Sequence, residues 1–194
     1  MTDPILAPDY PILTERLLLR PIDAEADLMA IHSYRSIPEV CRYVPFSPGT
    51  PEELAERLAD RERTRSVIDA EGQVICLVVE HRDTREVIGD LVLFWHSDTD
   101  LHAEVGYVLH PDHEGHGYAT EATRALLGLA FDGAGAHRVS ARLDERNTAS
   151  ARLLERLGFR HEATYVDGEW FKEEWSTLVV YALLDREWAQ NSRV

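Results

Sequence analysis

The stretch that most constrains this chain is Val105–Leu127, VGYVLHPDHEGHGYATEATRALL. A strand pattern over Ala103–Leu109 is broken at Pro111. Glycines follow at 115 and 117, and a helical pattern begins at Tyr118–Thr120. A strand that feeds a helix through such a turn calls for a sheet with helices packed on it. Glycines there let backbone N–H groups face inward without Cβ obstruction, and N–H groups at a helix start attract anions. The expected ligand group is a phosphate or pyrophosphate, with the Thr120 hydroxyl beside it. The competing reading is a plain strand–turn–helix connection with incidental glycines. Neither G-x-x-x-x-G-K-[ST] nor G-x-G-x-x-G is completed, because Thr120 stands where the third glycine of the latter belongs.

The rest of the chain organises around this turn. Glu15–Arg20 reads as a short strand, and Asp23 starts a helical pattern through about Ser36. Thr50-Pro51-Glu52-Glu53 combines an N-cap, a proline at the first helical position and a capping-box glutamate, for a helix reaching about Arg65. Gln73–Glu80 and Val87–Trp95 are strands joined by a hairpin at His81–Glu86. Thr120–Ala134 is helical, ended by Gly133 and Gly135, and Arg138–Leu143 is a strand. Asn147 caps a helix over Thr148–Leu157, with Gly158 as its left-handed terminator. Phe159–Val166 and Leu178–Leu184 are the last strands. This order predicts an α/β (α+β) domain with one central mixed sheet, about seven strands and about four helices. Three hairpin-linked strands ahead of the βαβ unit argue against a doubly wound dinucleotide fold.

Composition narrows the function. At 194 residues, with no repeat or linker, the expectation is one domain over 1–194. Asp and Glu number 35 against 20 Lys and Arg, a net charge of −15, which excludes nucleic acid and anionic membranes as bulk partners. No apolar run is long enough to cross a bilayer, and Met1-Thr2-Asp3-Pro4 lacks a secretory pattern. Cys41 and Cys76 form no framework, so a reduced, cytoplasmic setting is expected. Residues 106–162 carry eight acids and seven arginines, net −1, which leaves −14 for the rest. An anionic ligand therefore fits the later half, and a cationic one the remainder. Lys172 is the only lysine, which reads as coding bias. His110, His113 and His116 raise a metal reading, but they surround a turn with no acidic ligand at a fixed spacing; no metal is expected.

Taken together, these residues resemble the GNAT superfamily of acetyl-CoA-dependent N-acetyltransferases. The superfamily signature [QR]-x-x-G-x-[GA] is matched by Glu114-Gly115-His116-Gly117-Tyr118-Ala119. Asn147–Phe159 is similar to the N-x-x-S-x-R-x-x-E-K-x-G-F run of the RimJ/RimL-like branch, the ribosomal-protein N-acetyltransferases. Leu13–Pro21 (LTERLLLRP), Gly117–Ala122 (GYATEA) and Tyr181–Trp188 (YALLDREW) look like that branch too, so the likeness covers about 12–188. It implies a sheet splayed between its fourth and fifth strands, here Ala103–Leu109 and Arg138–Leu143. Pantetheine would lie in the gap against the backbone of Val108, Leu109 and His110. The pyrophosphate would rest on the turn formed by Glu114, Gly115, His116, Gly117, Tyr118, Ala119 and Thr120, with Asn147 and Arg152 as further contacts. Two departures stand out: Glu114 replaces Gln or Arg, and Leu154 occupies the position of the tyrosine acid that many members carry.

The implied reaction moves an acetyl group from acetyl-CoA to a primary amine, a protein N-terminal α-amine or a small cationic amine. An amine must lose a proton before it attacks a thioester. Glu104 is the expected base, against a reading as a solvent-facing strand residue. Ser150 is the expected donor to the leaving thiolate, against a reading as an ordinary first-turn serine. A backbone N–H near Leu109 would stabilise the thioester oxygen. Tyr34, Tyr43, Trp95 and Trp175 are acceptor-site candidates, against a reading as core. The acids Asp167, Glu169, Glu173 and Glu174 would draw in the cation. A non-catalytic acyl-CoA sensor on the same fold is the alternative, and monomer and homodimer stand equally open.

Overall fold

The computed structural model describes residues 3–60 and 64–191. It shows an eight-stranded mixed sheet built from β1 (Ile12–Leu13), β2 (Leu17–Pro21), β3 (Val74–His81), β4 (Val87–Ser97), β5 (His102–Leu109), β6 (Arg138–Asp144), β7 (Arg160–Phe171) and β8 (Glu174–Leu184). The spatial order is β1-β2-β3-β4-β5-β6-β8-β7. Every neighbour pair is antiparallel except β5–β6. The expected fold class is observed, with one more strand: β1 has only two residues, too few to show an alternation.

Among the described residues six α-helices accompany the sheet: α1 (Leu28–Arg35), α2 (Pro38–Cys41), α3 (Pro51–Leu58), α4 (Tyr118–Gly128), α5 (Thr148–Arg156) and α6 (Asp185–Asn191). The alternation of strand residues divides the core. One face of β2–β6 meets α4 and α5 through Leu19, Leu77, Val105, Val139, Leu126 and Leu153. The opposite face, carrying Cys76 and Val78, meets Ile31 and Tyr34 of α1 and Leu54 and Leu58 of α3.

Local chemistry explains several boundaries. α1 starts at Leu28 rather than Asp23, because the Asp23 carboxylate accepts from the amides of Glu25 and Ala26 in a preceding turn. Asp27 is bonded to Arg20 by both carboxylate oxygens (2.7 Å each). The Thr50–Glu53 capping box forms as expected, but α3 ends at Leu58; residues 61–63 lie outside the described residues. α4 ends at Gly128 and continues as one wider turn, Leu129–Gly133.

The last hairpin is longer than the sequence pattern suggests. Its strands run to Phe171 and from Glu174, joined by Lys172 and Glu173. Both have positive φ (49° and 66°), a two-residue turn that usually takes Asn-Gly. Without that signal the segment reads as an acidic loop.

Candidate active site

The central feature is the failure of β5 and β6 to stay paired. They match only over His102–Arg138, Ala103–Val139 and Glu104–Ser140, although the strands continue to Leu109 and Asp144. A cavity of about 700 Å³ opens there, walled by Glu104–Val108 on one side and by Ala141–Leu143, Asn147, Ser150 and Leu154 on the other. The splay expected between these two strands is therefore present.

Backbone alternation determines what β5 offers to the gap. The His110 amide donates to Ile88 O (2.8 Å), so the alternate residues Val108, Gly106 and Glu104 also face β4 with their backbone groups. Val105, Tyr107 and Leu109 direct theirs toward the gap. The expected backbone contacts at Val108 and His110 are thus corrected: Tyr107 and Leu109 hold the free groups. Val108 still lines the cavity, with Gly106. The His110 ring accepts from the Asp112 amide (3.1 Å) and packs edge-on against Tyr34. Gly89 is required where β4 meets this bend, since a Cβ there would overlap Val108 O.

The turn beyond β5 presents free amides. Gly115 and Gly117 have φ of 78° and 82°, and Gly117 is the left-handed N-cap of α4, with no side-chain cap. The amides of Tyr118, Ala119 and Thr120 open the helix and have no intrahelical acceptor. Glu114 is a correction: its amide donates to Pro111 O (3.0 Å) and its side chain is exposed, so it offers no donor. His116 stacks on Tyr118. Among the described residues no group of three His, Cys, Asp or Glu is arranged to hold a metal ion.

A clasp unforeseen in the sequence braces this turn. Glu121, in the first turn of α4, accepts from the Thr14 hydroxyl (2.6 Å), the Arg16 amide (2.8 Å) and Arg16 Nε (2.7 Å). Arg16 also donates to His116 O (2.9 Å) and lies over the Tyr118 ring. Burial pushes the Glu121 carboxyl up, but these hydrogen bonds outweigh it and hold it below the usual carboxylate range. From α5, Arg156 rather than Arg152 reaches Thr120 Oγ1 (3.4 Å). Arg152 is exposed and bonds no other described residue.

Asn147 serves as the N-cap of α5, with Oδ1 accepting from the Ser150 amide (3.1 Å), and both residues line the cavity. The Tyr107 phenol donates to Ser150 O (3.3 Å), and burial pushes it up to about 12, so it is neutral at pH 7. Glu104 lines the cavity where the strands part, and its Oε2 lies 3.2 Å from His96 Nε2.

The other end of the cavity is a buried polar triad. Asp90 accepts from the Tyr34 hydroxyl (2.6 Å) and from Arg35 (Nε 3.2 Å), whose guanidinium stacks on Phe46 at 4.5 Å. Of the aromatic candidates, Tyr43 lines the cavity. Tyr34 does not: it is fully buried beneath Asp90. Trp95 is also core, on the face toward α4, with its indole N–H on Asp98. Trp175 is exposed on the last hairpin against Trp170. The acids of that hairpin do not line the cavity; Glu56, Asp60, Asp90 and Glu104 do, alongside Arg35, Arg57 and Arg142. Lys172 donates to Cys41 O and Phe46 O (2.8 Å to the latter), fastening the hairpin to the segment at residues 41–46, whose later part walls the cavity.

Comparison with known proteins agrees with this geometry. Residues 16–160 match the family model of the acetyltransferase (GNAT) domain. The chain is 32% identical over 178 residues to the uncharacterized N-acetyltransferase p20 of Bacillus licheniformis, covering 92% of this chain and 98% of that one. Over 86 residues it is 37% identical to the putative ribosomal N-acetyltransferase YdaF of Bacillus subtilis, 44% of this chain and 47% of that one. The crystal structure of a GNAT-family acetyltransferase from Bacillus anthracis superposes with a TM-score of 0.79 at 27% identity, covering 90% of this chain and 98% of that one. A splayed sheet, a glycine turn with free helix amides and these matches have one reading: the chain belongs to the GNAT acetyltransferase family and is an acetyl-CoA-dependent N-acetyltransferase.

Proposed function

We propose that this enzyme acetylates a primary amine, a peptide α-amine or a small cationic amine, by direct attack within a ternary complex. The observation that carries the reading is the gap between β5 and β6, with unpaired strand backbone on one wall and Glu104, Asn147 and Ser150 around it. Acetyl-CoA supplies the thioester carbonyl. Its pantetheine arm fits along Tyr107 and Leu109, and its pyrophosphate fits the amides of Gly115–Thr120, where α4 begins. The Asn147 amide nitrogen is left for the arm, because only Oδ1 is engaged in the cap.

Glu104 takes the proton from the acceptor ammonium, and the freed amine attacks the thioester carbon. The Leu109 amide is placed to hydrogen-bond the thioester oxygen. Ser150, on the cavity wall in the first turn of α5, gives a proton to the leaving sulfur and regains one from the acylated nitrogen. Tyr43 and the Arg35–Asp90 end of the cavity face the acceptor. Among the described residues four acids and three arginines line the cavity, so the acceptor meets mixed charge there rather than the chain's overall −15. The RimJ/RimL-like motifs and the partial likeness to a putative ribosomal N-acetyltransferase favour a peptide α-amine. The test is thiol release from acetyl-CoA over α-amino peptides, polyamines, aminoglycosides and free amino acids. Turnover confined to one class identifies the acceptor, and no turnover with any amine refutes the reading.

A further inference from the structure

We propose that His96 carries away the proton that Glu104 takes from the acceptor amine, and so returns Glu104 to its basic form for the next turnover. This rests on Glu104 being the base. The overall reaction converts an ammonium and a thioester into an amide, a thiol and one free proton. One of the two protons lost by the nitrogen ends on sulfur. The other stays on Glu104 and must leave before another cycle begins.

His96 offers a route out. Glu104 lies in the cavity with its side chain 22% exposed, and Oε2 meets His96 Nε2 at 3.2 Å. His96 is on β4, one alternation beyond Phe94, the cross-strand partner of Glu104, and stacks on that ring. Its side chain is 42% exposed. Nδ1 has no partner among the described residues. A neutral imidazole accepts the Glu104 proton at Nε2 and releases one from Nδ1 to water, and exchange of the ring proton through water restores the Nδ1–H tautomer before the next cycle. The C–N and C–S bond changes are untouched, and only this proton moves.

The surroundings suit that task. His102 lies 5.2 Å from His96, ring to ring, and its Nε2 is tied to Ser140 Oγ at 2.8 Å. Burial first, then the nearby His96 and Arg138, lower its basicity, with Asp100 opposing. Glu104 is the anionic group in direct contact with His96.

Three variants separate the possibilities. His96→Asn keeps an amide beside Glu104 but cannot relay a proton; the expected result is kcat reduced about tenfold to a hundredfold with KM for acetyl-CoA unchanged. His96→Ala should fall similarly and recover in added imidazole. Rates are measured with the amine turned over best in the acceptor panel. His96→Asn at the wild-type rate and pH profile, or His96→Ala unresponsive to imidazole, overturns the relay. Independently of activity, the ring ¹⁵N chemical shifts of His96 at one fixed pH should differ in Glu104→Gln, which changes the group in contact with Nε2. Identical shifts overturn the contact itself. Full activity of Glu104→Gln would instead refute Glu104 as base, while the resonances still report the contact.

Discussion

Replacing Glu121 by Gln should unclasp the glycine turn from the first β-hairpin. The carboxylate receives three hydrogen bonds of 2.6–2.8 Å from Thr14 and Arg16. The Glu121 side chain is 15% exposed, but that of Arg16 is 40%. Hydrogen bonds to charged groups contribute about 1.5–3 kcal/mol each when well buried, and exposure and salt screening reduce the ion pair. Glutamine keeps one acceptor oxygen, so the expected loss is about 2–3 kcal/mol, a fall in Tm of about 5–10 °C for a chain of this size. The effect must depend on pH in one direction. The Glu121 carboxyl is held below its ordinary range in the fold. Its contribution is complete above the unfolded value, about 4.3, and is lost as pH falls through the lower folded value. Urea unfolding of both proteins from pH 7 to pH 3 should show curves that converge at the acid end. A gap of constant size, or none at pH 7, would refute the clasp.

Three other perturbations probe separate parts of the site. Asp90→Asn leaves Arg35 without its anionic partner beside the cavity and should destabilise by about 3 kcal/mol, read by denaturant unfolding. Gly89→Ala drives a methyl into Val108 O and should cost about 1–3 kcal/mol while weakening acetyl-CoA binding, measured by calorimetry. Lys172→Met removes both bonds from the hairpin to residues 41–46 and should cost about 1 kcal/mol and raise the acceptor KM, whereas Lys172→Arg retains most of each.

What was legible in the sequence is what short-range chemistry dictates. The Thr50 capping box, the Asn147 cap and the Gly117 turn rest on contacts within four residues, and all formed. The Arg35–Asp90 end of the cavity was illegible because its partners lie far apart: Tyr34 and Arg35 meet Asp90 across 55–56 residues, and Lys172 meets Cys41 across 131. Tyr34 and Trp95 were misplaced because an aromatic side chain looks alike in sequence whether it lines a cavity or fills a core. Only alternation fixed by the sheet register separates Trp95 from Phe94, which does line the cavity. The lone lysine was visible throughout, but its meaning required knowing which carbonyls lay beneath the hairpin.

The register also makes a residue-by-residue forecast about acetyl-CoA. In a fully paired sheet every internal β5 amide would be protected from solvent exchange. Here alternate amides differ, because β6 departs after Ser140. The amides of Val108 and His110 face β4, and the latter is bonded to Ile88 O. Those of Tyr107 and Leu109 face the gap and have only a ligand to bond. Without acetyl-CoA, Tyr107 and Leu109 should exchange much faster than Val108 and His110, although all four are consecutive in the chain. Saturating acetyl-CoA acts as the missing strand, so it should slow Tyr107 and Leu109 selectively. It should also raise Tm through ligand linkage, by about 2.7 kcal/mol of added stability at a hundredfold excess over Kd. Residue-resolved amide exchange by NMR reads the alternation directly. Slowing at Val108 and His110 instead would place the ligand on the opposite register, and equal slowing at all four would mean that acetyl-CoA tightens the fold without pairing with β5.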